Sequence, residues 1–185
     1  MPYTVSASEN KRGSCAEYET KALLYLMNFR NDSNEIYYFV VDFFNDLTGM
    51  DRYADNLWDI QSKGAKSNSP AAIGKELVTL FKNYLSDLSF AHLILFLGGV
   101  SSTVRVDDSK DVFDITNINE SALVKLKEGL KSEATIKTYI DDLDITDNNI
   151  DEFLKKVLFV VDTKTPEEYV KAIIKLKITS THHTN

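Results

Sequence analysis

The chain alternates between segments with strand-like and helix-like hydrophobic spacing, which predicts an α/β fold. Residues 14–29 carry apolar side chains every three or four positions, the spacing of an amphipathic helix with Ser14 as its N-cap. The next segment, EIYYFVVDFF, is dense in β-branched and aromatic residues and predicts a strand. A turn at TGMDRYADN and a second strand over residues 57–63 would complete an antiparallel hairpin.

The rest of the chain predicts helices that alternate with buried strands. Residues 69–85 open with Ser69 and Pro70, which are favoured at a helix start, and continue with helical spacing. The runs FAHLILFLGG and VLFVVDT are continuously apolar, which is typical of strands covered on both faces. Further helices are predicted near residues 121–131, 133–139, 148–156 and 166–177. This order predicts a single α/β domain with a mixed β-sheet, in which an antiparallel hairpin joins crossover strands flanked by helices.

Length and composition support one globular domain. We expect the 185 residues to form a flexible N-terminal tail over 1–12, a domain over 13–178 and a flexible C-terminal tail over 179–185. No apolar run approaches the ~18 to 20 residues of a membrane span, and no signal-peptide pattern opens the chain. A single cysteine, Cys15, excludes an internal disulfide and fits a reducing compartment. These features predict a cytoplasmic protein that does not contact a membrane.

The charge is unevenly distributed along the chain. The formal net charge of −7 argues against a protein that coats nucleic acid nonspecifically. Residues 107–152, however, hold 13 acids and 5 bases, which leaves the remainder slightly positive. Residues 61–82 carry four lysines against one acid. A local site for a polyanion is therefore compatible with the acidic total.

The predicted strand over residues 57–63 has two different faces. Its side chains alternate, so Trp58 and Ile60 point to one side. The other side carries an acid, an amide and an amine, namely Asp59, Gln61 and Lys63. A half-buried strand with a solvated outer face would explain this pattern without any function.

Two carboxylates on the preceding strand change this picture. Asp42 shares one face of that strand with Tyr38 and Val40, and Asp46 joins the same face if the strand continues as far as residue 46. Asp42 interrupts an apolar run, which costs desolvation free energy unless it has a partner or a metal. The hairpin would bring them beside Gln61 and Lys63. Carboxylate and amide oxygens are the ligands of hard divalent cations, and a lysine stabilises developing phosphoryl charge. The set therefore suits phosphodiester hydrolysis, with Lys66 and Lys75 available for flanking phosphates.

This arrangement resembles the PD-(D/E)XK nuclease superfamily, in its Gln-x-Lys variant. It is similar to Mrr-type restriction enzymes and, more closely, to the double-stranded DNA endonuclease domain of CD-NTase-associated anti-phage effectors. The matching features are Tyr18-Glu19 on a helix, Asp42 and Asp46 in VVDFFND, and Gln61-x-Lys63 in IQSKG. The resemblance is best over residues 12–100.

The resemblance implies a restriction-endonuclease-like fold and a metal-dependent endonuclease that cuts double-stranded DNA in anti-phage defence. By that implication Asp46 is the main metal-binding acid, Gln61 a ligand through its amide oxygen, and Lys63 the catalytic lysine. Asp42 and Glu19 support them. The implied cofactor is Mg²⁺ or Mn²⁺, and the implied partner beyond DNA is a sensor or effector protein, separate or fused.

Two other readings stay open. A degenerate nuclease fold would serve only as a protein-interaction or DNA-binding module, which the acidic surface favours. An unrelated α/β interaction domain would use Asp42 and Lys63 merely as a salt bridge. Retention of all three residues Asp46, Gln61 and Lys63 favours the nuclease.

Overall fold

A computed structural model describes residues 13–136, 145–165 and 167–171. Within them, six strands form one sheet in the order β1-β2-β3-β4-β6-β5. The helices are α1 (Gly13–Asn28), α2 (Pro70–Glu76), α3 (Val78–Tyr84), α4 (Glu120–Ile136) and α5 (Asp147–Leu154). The strands are β1 (Tyr38–Val41), β2 (Leu47–Met50), β3 (Leu57–Lys63), β4 (Phe90–Leu97), β5 (Val112–Phe113) and β6 (Val157–Val161).

The sheet is mixed, which confirms the predicted fold class. Strands β1, β2 and β3 form an antiparallel meander, whereas β3, β4 and β6 run parallel to one another. The short β5 pairs antiparallel with β6. Helices connect the parallel strands, as crossover connections require. The architecture is consistent with a restriction-endonuclease-like α/β fold.

Helices cover both faces of the sheet and divide the core in two. On one face, Ala22 and Leu26 of α1 pack against Trp58 and Ile60 of β3. On the other face, α2, α3, α4 and α5 pack against β4 through side chains such as Leu95. The strands β4 and β6 are therefore apolar on both sides, which explains their continuous hydrophobic runs. The alternation predicted for β3 thus decides which helices each of its side chains meets.

The prediction of a two-stranded hairpin is wrong, because part of its predicted turn forms a third strand. The first strand ends at Val41. Leu47 to Met50 form the middle strand of the meander, although Thr48 to Met50 were predicted to lie in the turn. Asp42 follows β1 with a φ of 56°, in the left-handed region that Asp tolerates better than most residues. Neither Asp42 nor Asp46 therefore lies within a strand. Both belong to the turn over residues 42–46, with the Asp42 N–H donating to the Asp46 carbonyl at 3.2 Å.

The predicted helices are also corrected in detail. Residues 69–85 form two helices, α2 and α3, that meet at Leu77, and Ser69 caps α2 by accepting from the Ala72 N–H. The helices predicted at 121–131 and 133–139 are one helix, α4, as far as Ile136. Helix α1 begins at Gly13, so Ser14 lies inside it instead of capping it.

Part of the prediction concerns residues that the structure does not describe. The tails predicted over 1–12 and 179–185, residues 137–144 and the helix beyond residue 171 are among them. Residues 167–171 are helical, as predicted for the segment that starts at Pro166. In the described ranges, no helix combines the length and the apolar character that crossing a bilayer requires.

Two glycines allow α2 and α4 to pack closely, and replacing one should destabilise the fold. A Cβ on Gly129 would clash with the Ala71 carbonyl oxygen, and a Cβ on Gly74 would clash with that of Leu126. Although alanine has the higher helix propensity, we expect Gly129→Ala to lower the free energy of unfolding by about 1 to 3 kcal/mol because the backbones must separate. Urea denaturation measures this change. The exposed Lys125→Ala on α4 is the control, and an unchanged midpoint for Gly129→Ala would contradict the prediction.

Candidate active site

Asp46 and Gln61 meet where β2 begins and β3 ends. Leu47, the first residue of β2, pairs with Ile60 of β3, so Asp46 lies beside Gln61. The Gln61 Nε2 donates to Asp46 Oδ2 at 3.2 Å. The N–H and the hydroxyl of Ser62 donate to the same oxygen, each at 2.6 Å. The antiparallel β2–β3 pair therefore fixes the Asp46 carboxylate against the Gln-x-Lys segment.

The surroundings of Asp46 disfavour its negative charge. Burial raises the pKa of the Asp46 carboxyl, and the two hydrogen bonds from Ser62 lower it in part. The nearby charges of Asp42 and Glu76 raise it further. The partly buried Asp46 carboxylate thus lies near two further carboxylates, and a bound cation would relieve the repulsion between them.

Lys63 is held by an acid that sequence reasoning did not select. Its ammonium Nζ lies 2.6 Å from Glu76 Oε1, and the two side chains are 44% and 24% exposed. Glu76 is the last residue of α2, and its negative charge also raises the pKa of the Asp46 carboxyl. One feature of the sequence could have indicated Glu76: it is the one acid in residues 61–82, which also contain four lysines.

Gln61 connects the strand pair to the helix beneath it. Its amide oxygen Oε1 accepts from the Thr79 hydroxyl of α3 at 3.2 Å, while its Nε2 donates to Asp46. This places Gln61 between β2, β3 and α3, with its carbonyl oxygen already oriented by a donor. An amide in this position is a neutral oxygen ligand and not a base.

The remaining predicted residues surround this centre at different distances. Asp42 is exposed on the 42–46 turn and close enough for its charge to affect Asp46. Glu19 lies on α1, which packs on the opposite face of the sheet from the helices that contact Gln61 and Lys63. Lys66 and Lys75 are exposed, in the β3–α2 connection and on α2. The structure therefore brings together Asp42, Asp46 and Gln61. The helix that carries Glu19 packs on the other face of the sheet, with the neighbouring Tyr18 ring against Gly64, the residue after Lys63.

A second buried acid lies next to this centre. Asp59 is 0% exposed, and its Oδ2 accepts from Asn45 Nδ2 at 2.5 Å and from Asn83 Nδ2 at 2.7 Å. Burial raises the pKa of the Asp59 carboxyl to about 6, against the effect of both amides. Its position was visible in the sequence, since alternation places Asp59 on the same face as Gln61.

The donor set fits a hard divalent cation. Asp46 and Glu76 carry carboxylate oxygens, and Gln61 an amide oxygen, of the kind that Mg²⁺ and Mn²⁺ take as ligands. Burial raises the pKa of the Asp46 carboxyl, so its ionised form is disfavoured without a cation. In the part of the chain that the structure describes, no three His, Cys, Asp or Glu side chains are already gathered as a metal site. Binding by Asp46 and Gln61 would therefore also need water, and the Gln61 amide would have to turn its oxygen from the Thr79 hydroxyl toward Asp46.

Comparison with known proteins provides no relative from which to transfer a function. The chain matches no protein-family model, no curated protein and no solved structure. Its function must therefore be inferred from the geometry of the site and from the motif in the sequence.

Proposed function

We propose that the protein is a metal-dependent endonuclease that cleaves double-stranded DNA. The observation that carries this proposal is the contact of Asp46 with Gln61 and Ser62 of β3, the strand that ends at Lys63. An acid, an amide oxygen and a lysine on adjoining strand ends are the groups that phosphodiester hydrolysis needs. A role in bacterial anti-phage defence, in the cytoplasm and with a sensor or effector partner, rests on the resemblance of the motif alone.

Each residue has a distinct task in this proposal. Asp46 and Gln61 would hold Mg²⁺ or Mn²⁺, which supplies Lewis-acid polarisation of a phosphoryl oxygen when bound. Lys63 donates to the phosphate as negative charge develops in the transition state. The ion pair with Glu76 keeps the Lys63 ammonium extended over α2 until a phosphate competes for it. Asp42 adds negative charge at the rim of the site, and Glu19 of α1 stays a candidate for a supporting role.

Contacts to DNA would be made mainly through its phosphates. Lys66 and Lys75 are both exposed, and they lie in the segments that immediately follow Lys63 along the chain. Lysines bind phosphates without reading base edges, so we propose weak sequence preference and strong salt dependence for binding.

A catalytically inactive nuclease fold is the second candidate, and one observation favours it. The Lys63 ammonium is already paired with Glu76 at 2.6 Å, and that pair satisfies both charges without a substrate. Under this alternative the chain would act as a DNA-binding or protein-interaction module. It would then leave DNA uncut, whichever metal is supplied, and as a DNA-binding module it would still bind DNA.

A plasmid assay tests the proposal directly. We expect the purified chain to nick or linearise supercoiled DNA in the presence of Mg²⁺ or Mn²⁺. It should leave the DNA intact in EDTA or in buffer that lacks divalent cations. The physical reason is that Asp46 and Gln61 alone provide no Lewis acid to polarise a phosphoryl oxygen. Gel electrophoresis over time measures the cleavage. DNA that is retarded in a binding gel but uncut in all metals would favour the second candidate.

A further inference from the structure

The buried carboxylate of Asp59 has no evident benefit for stability. It is completely buried, and both of its hydrogen-bond donors are neutral amides. A buried charge of this kind costs desolvation free energy that an apolar side chain would avoid. Among the residues that the structure describes, its other oxygen, Oδ1, has no hydrogen-bond partner, and neither does the buried hydroxyl of Thr48, the residue directly opposite on β2. Packing alone therefore does not explain an acid at this position.

The two amides that meet on Asp59 come from different parts of the fold. Asn45 belongs to the 42–46 turn, and Asn83 belongs to α3. Both donate to the same atom, Asp59 Oδ2. The carboxylate therefore ties the turn to β3 and, through Asn83, to the helix that also contacts Gln61.

The turn depends on such an anchor to hold its shape. Asp42 has a left-handed backbone conformation, and one backbone hydrogen bond at 3.2 Å closes the turn between Asp42 and Asp46. Phe44 adds a ring contact with Phe90 on β4, with centroids 5.2 Å apart. Asn45 is the immediate neighbour of Asp46, so its bond to Asp59 restrains the backbone from which the Asp46 carboxylate extends.

We propose that Asp59 is a positioning residue that holds Asp46 in place through Asn45. This inference rests on the proposed nuclease function, since it assigns Asp59 a task in that reaction. Asp59 does not touch the substrate. By restraining the 42–46 turn, Asp59 helps to keep the Asp46 carboxylate beside the Gln61 amide and the Ser62 donors, and a displacement of about 1 Å in such a site can lower rates by roughly 100-fold.

Asn45 and Asn83 form a matched pair of test positions, because replacing either one with alanine removes one amide hydrogen bond to Asp59 Oδ2. We expect Asn45→Ala to slow metal-dependent cleavage by about 30- to 100-fold. Asn83→Ala should change cleavage by less than about 3-fold, because Asn45 still holds the turn. The rise in melting temperature caused by Mn²⁺ should shrink in Asn45→Ala and persist in Asn83→Ala. Equal losses of cleavage in the two variants would overturn the proposal.

Two substitutions of Asp59 itself, one conservative and one not, test whether its acceptor oxygen is what cleavage requires. Asp59→Asn keeps an acceptor oxygen for both amides and places an NH₂ near the Thr48 hydroxyl, so cleavage should stay within about 3-fold of wild type. Asp59→Leu removes the acceptor and should behave like Asn45→Ala. Cleavage by Asp59→Leu at the wild-type rate would contradict the positioning role.

Hydrogen exchange separates this inference from the proposed function. Amides of residues 42–46 should exchange faster in Asn45→Ala and Asp59→Leu than in wild type, and at the wild-type rate in Asn83→Ala. Identical exchange in all variants would overturn the positioning role, even for a chain that cuts DNA. The predicted exchange pattern in a chain that cuts no DNA would overturn the nuclease proposal and leave the anchoring of the turn established.

Discussion

Asp46→Asn is expected to abolish DNA cleavage and the stabilisation by Mn²⁺ while leaving the metal-free protein at least as stable as wild type. A cation that binds only the folded state at about 100 times its Kd should raise the wild-type melting temperature by roughly 5 to 10 °C. The variant lacks the central anionic ligand, so that rise should disappear. Thermal melts with and without Mn²⁺ measure it.

The stability of the metal-free variant follows from the sign of the pKa shift. The folded state raises the pKa of Asp46, so the folded chain binds a proton more tightly than the unfolded chain does. Stability is therefore lost as the pH rises through the folded pKa, and at pH 7 the ionised group opposes folding. A neutral amide removes that penalty while its oxygen still accepts from the Ser62 N–H.

Two further variants serve as controls for Asp46→Asn. Asp55→Asn removes an exposed carboxylate from the loop at the other end of the β2–β3 pair and should leave the Mn²⁺ effect unchanged. Gln61→Glu brings a second negative charge beside Asp46, so it should lower metal-free stability and enlarge the Mn²⁺ effect. An equal Mn²⁺ shift in wild type and Asp46→Asn would show that the metal binds elsewhere.

Lys63→Ala is expected to reduce cleavage by about 10²- to 10³-fold with metal binding retained, because the lysine acts on charge that develops in the transition state. The Lys63–Glu76 pair is partly exposed, so its loss should change the free energy of unfolding by no more than about 1 kcal/mol. Single-turnover cleavage at saturating DNA measures the catalytic effect. The Mn²⁺ melting shift reports metal binding in the same samples.

The control for Lys63→Ala is Lys125→Ala, which removes the same charge from the exposed surface of α4. It should cleave DNA at the wild-type rate. A Lys63→Ala variant that cleaves equally well would remove the lysine from the mechanism. A Lys63→Ala variant that loses the Mn²⁺ shift as well would indicate that the lysine organises the site instead of acting on the phosphate.

The two faces of β3 were predictable from seven residues. The side chains of Trp58 and Ile60 lie in the α1 core, whereas Gln61 and Lys63 contact α3 and α2. This prediction succeeded because alternation is a property of extended backbone and needs no knowledge of the partners. The mixed α/β architecture was predictable for a similar reason, since helical and strand periodicities differ locally.

The extent of β1 was not predictable in the same way. Phe43 and Phe44 have side chains that favour strands, and in the sequence they resume the apolar run directly after Asp42. The strand nevertheless ends at Val41, where its partner in β2 begins with Leu47. A strand ends where its hydrogen-bonding partner ends, and that pairing depends on residues several positions away. The same pairing moved Asp46 from a predicted strand to the residue before one.

Local periodicity and spacing along the chain were enough to predict the α/β class, the strand that carries Gln61 and Lys63, and the position of Asp46 before them. The groups that these side chains contact became visible only in the folded chain: Glu76 for Lys63, Thr79 for Gln61, and the amides of Asn45 and Asn83 for Asp59. Such partners depend on how α2, α3 and the 42–46 turn pack on the sheet, and packing is set by contacts between residues far apart in the chain.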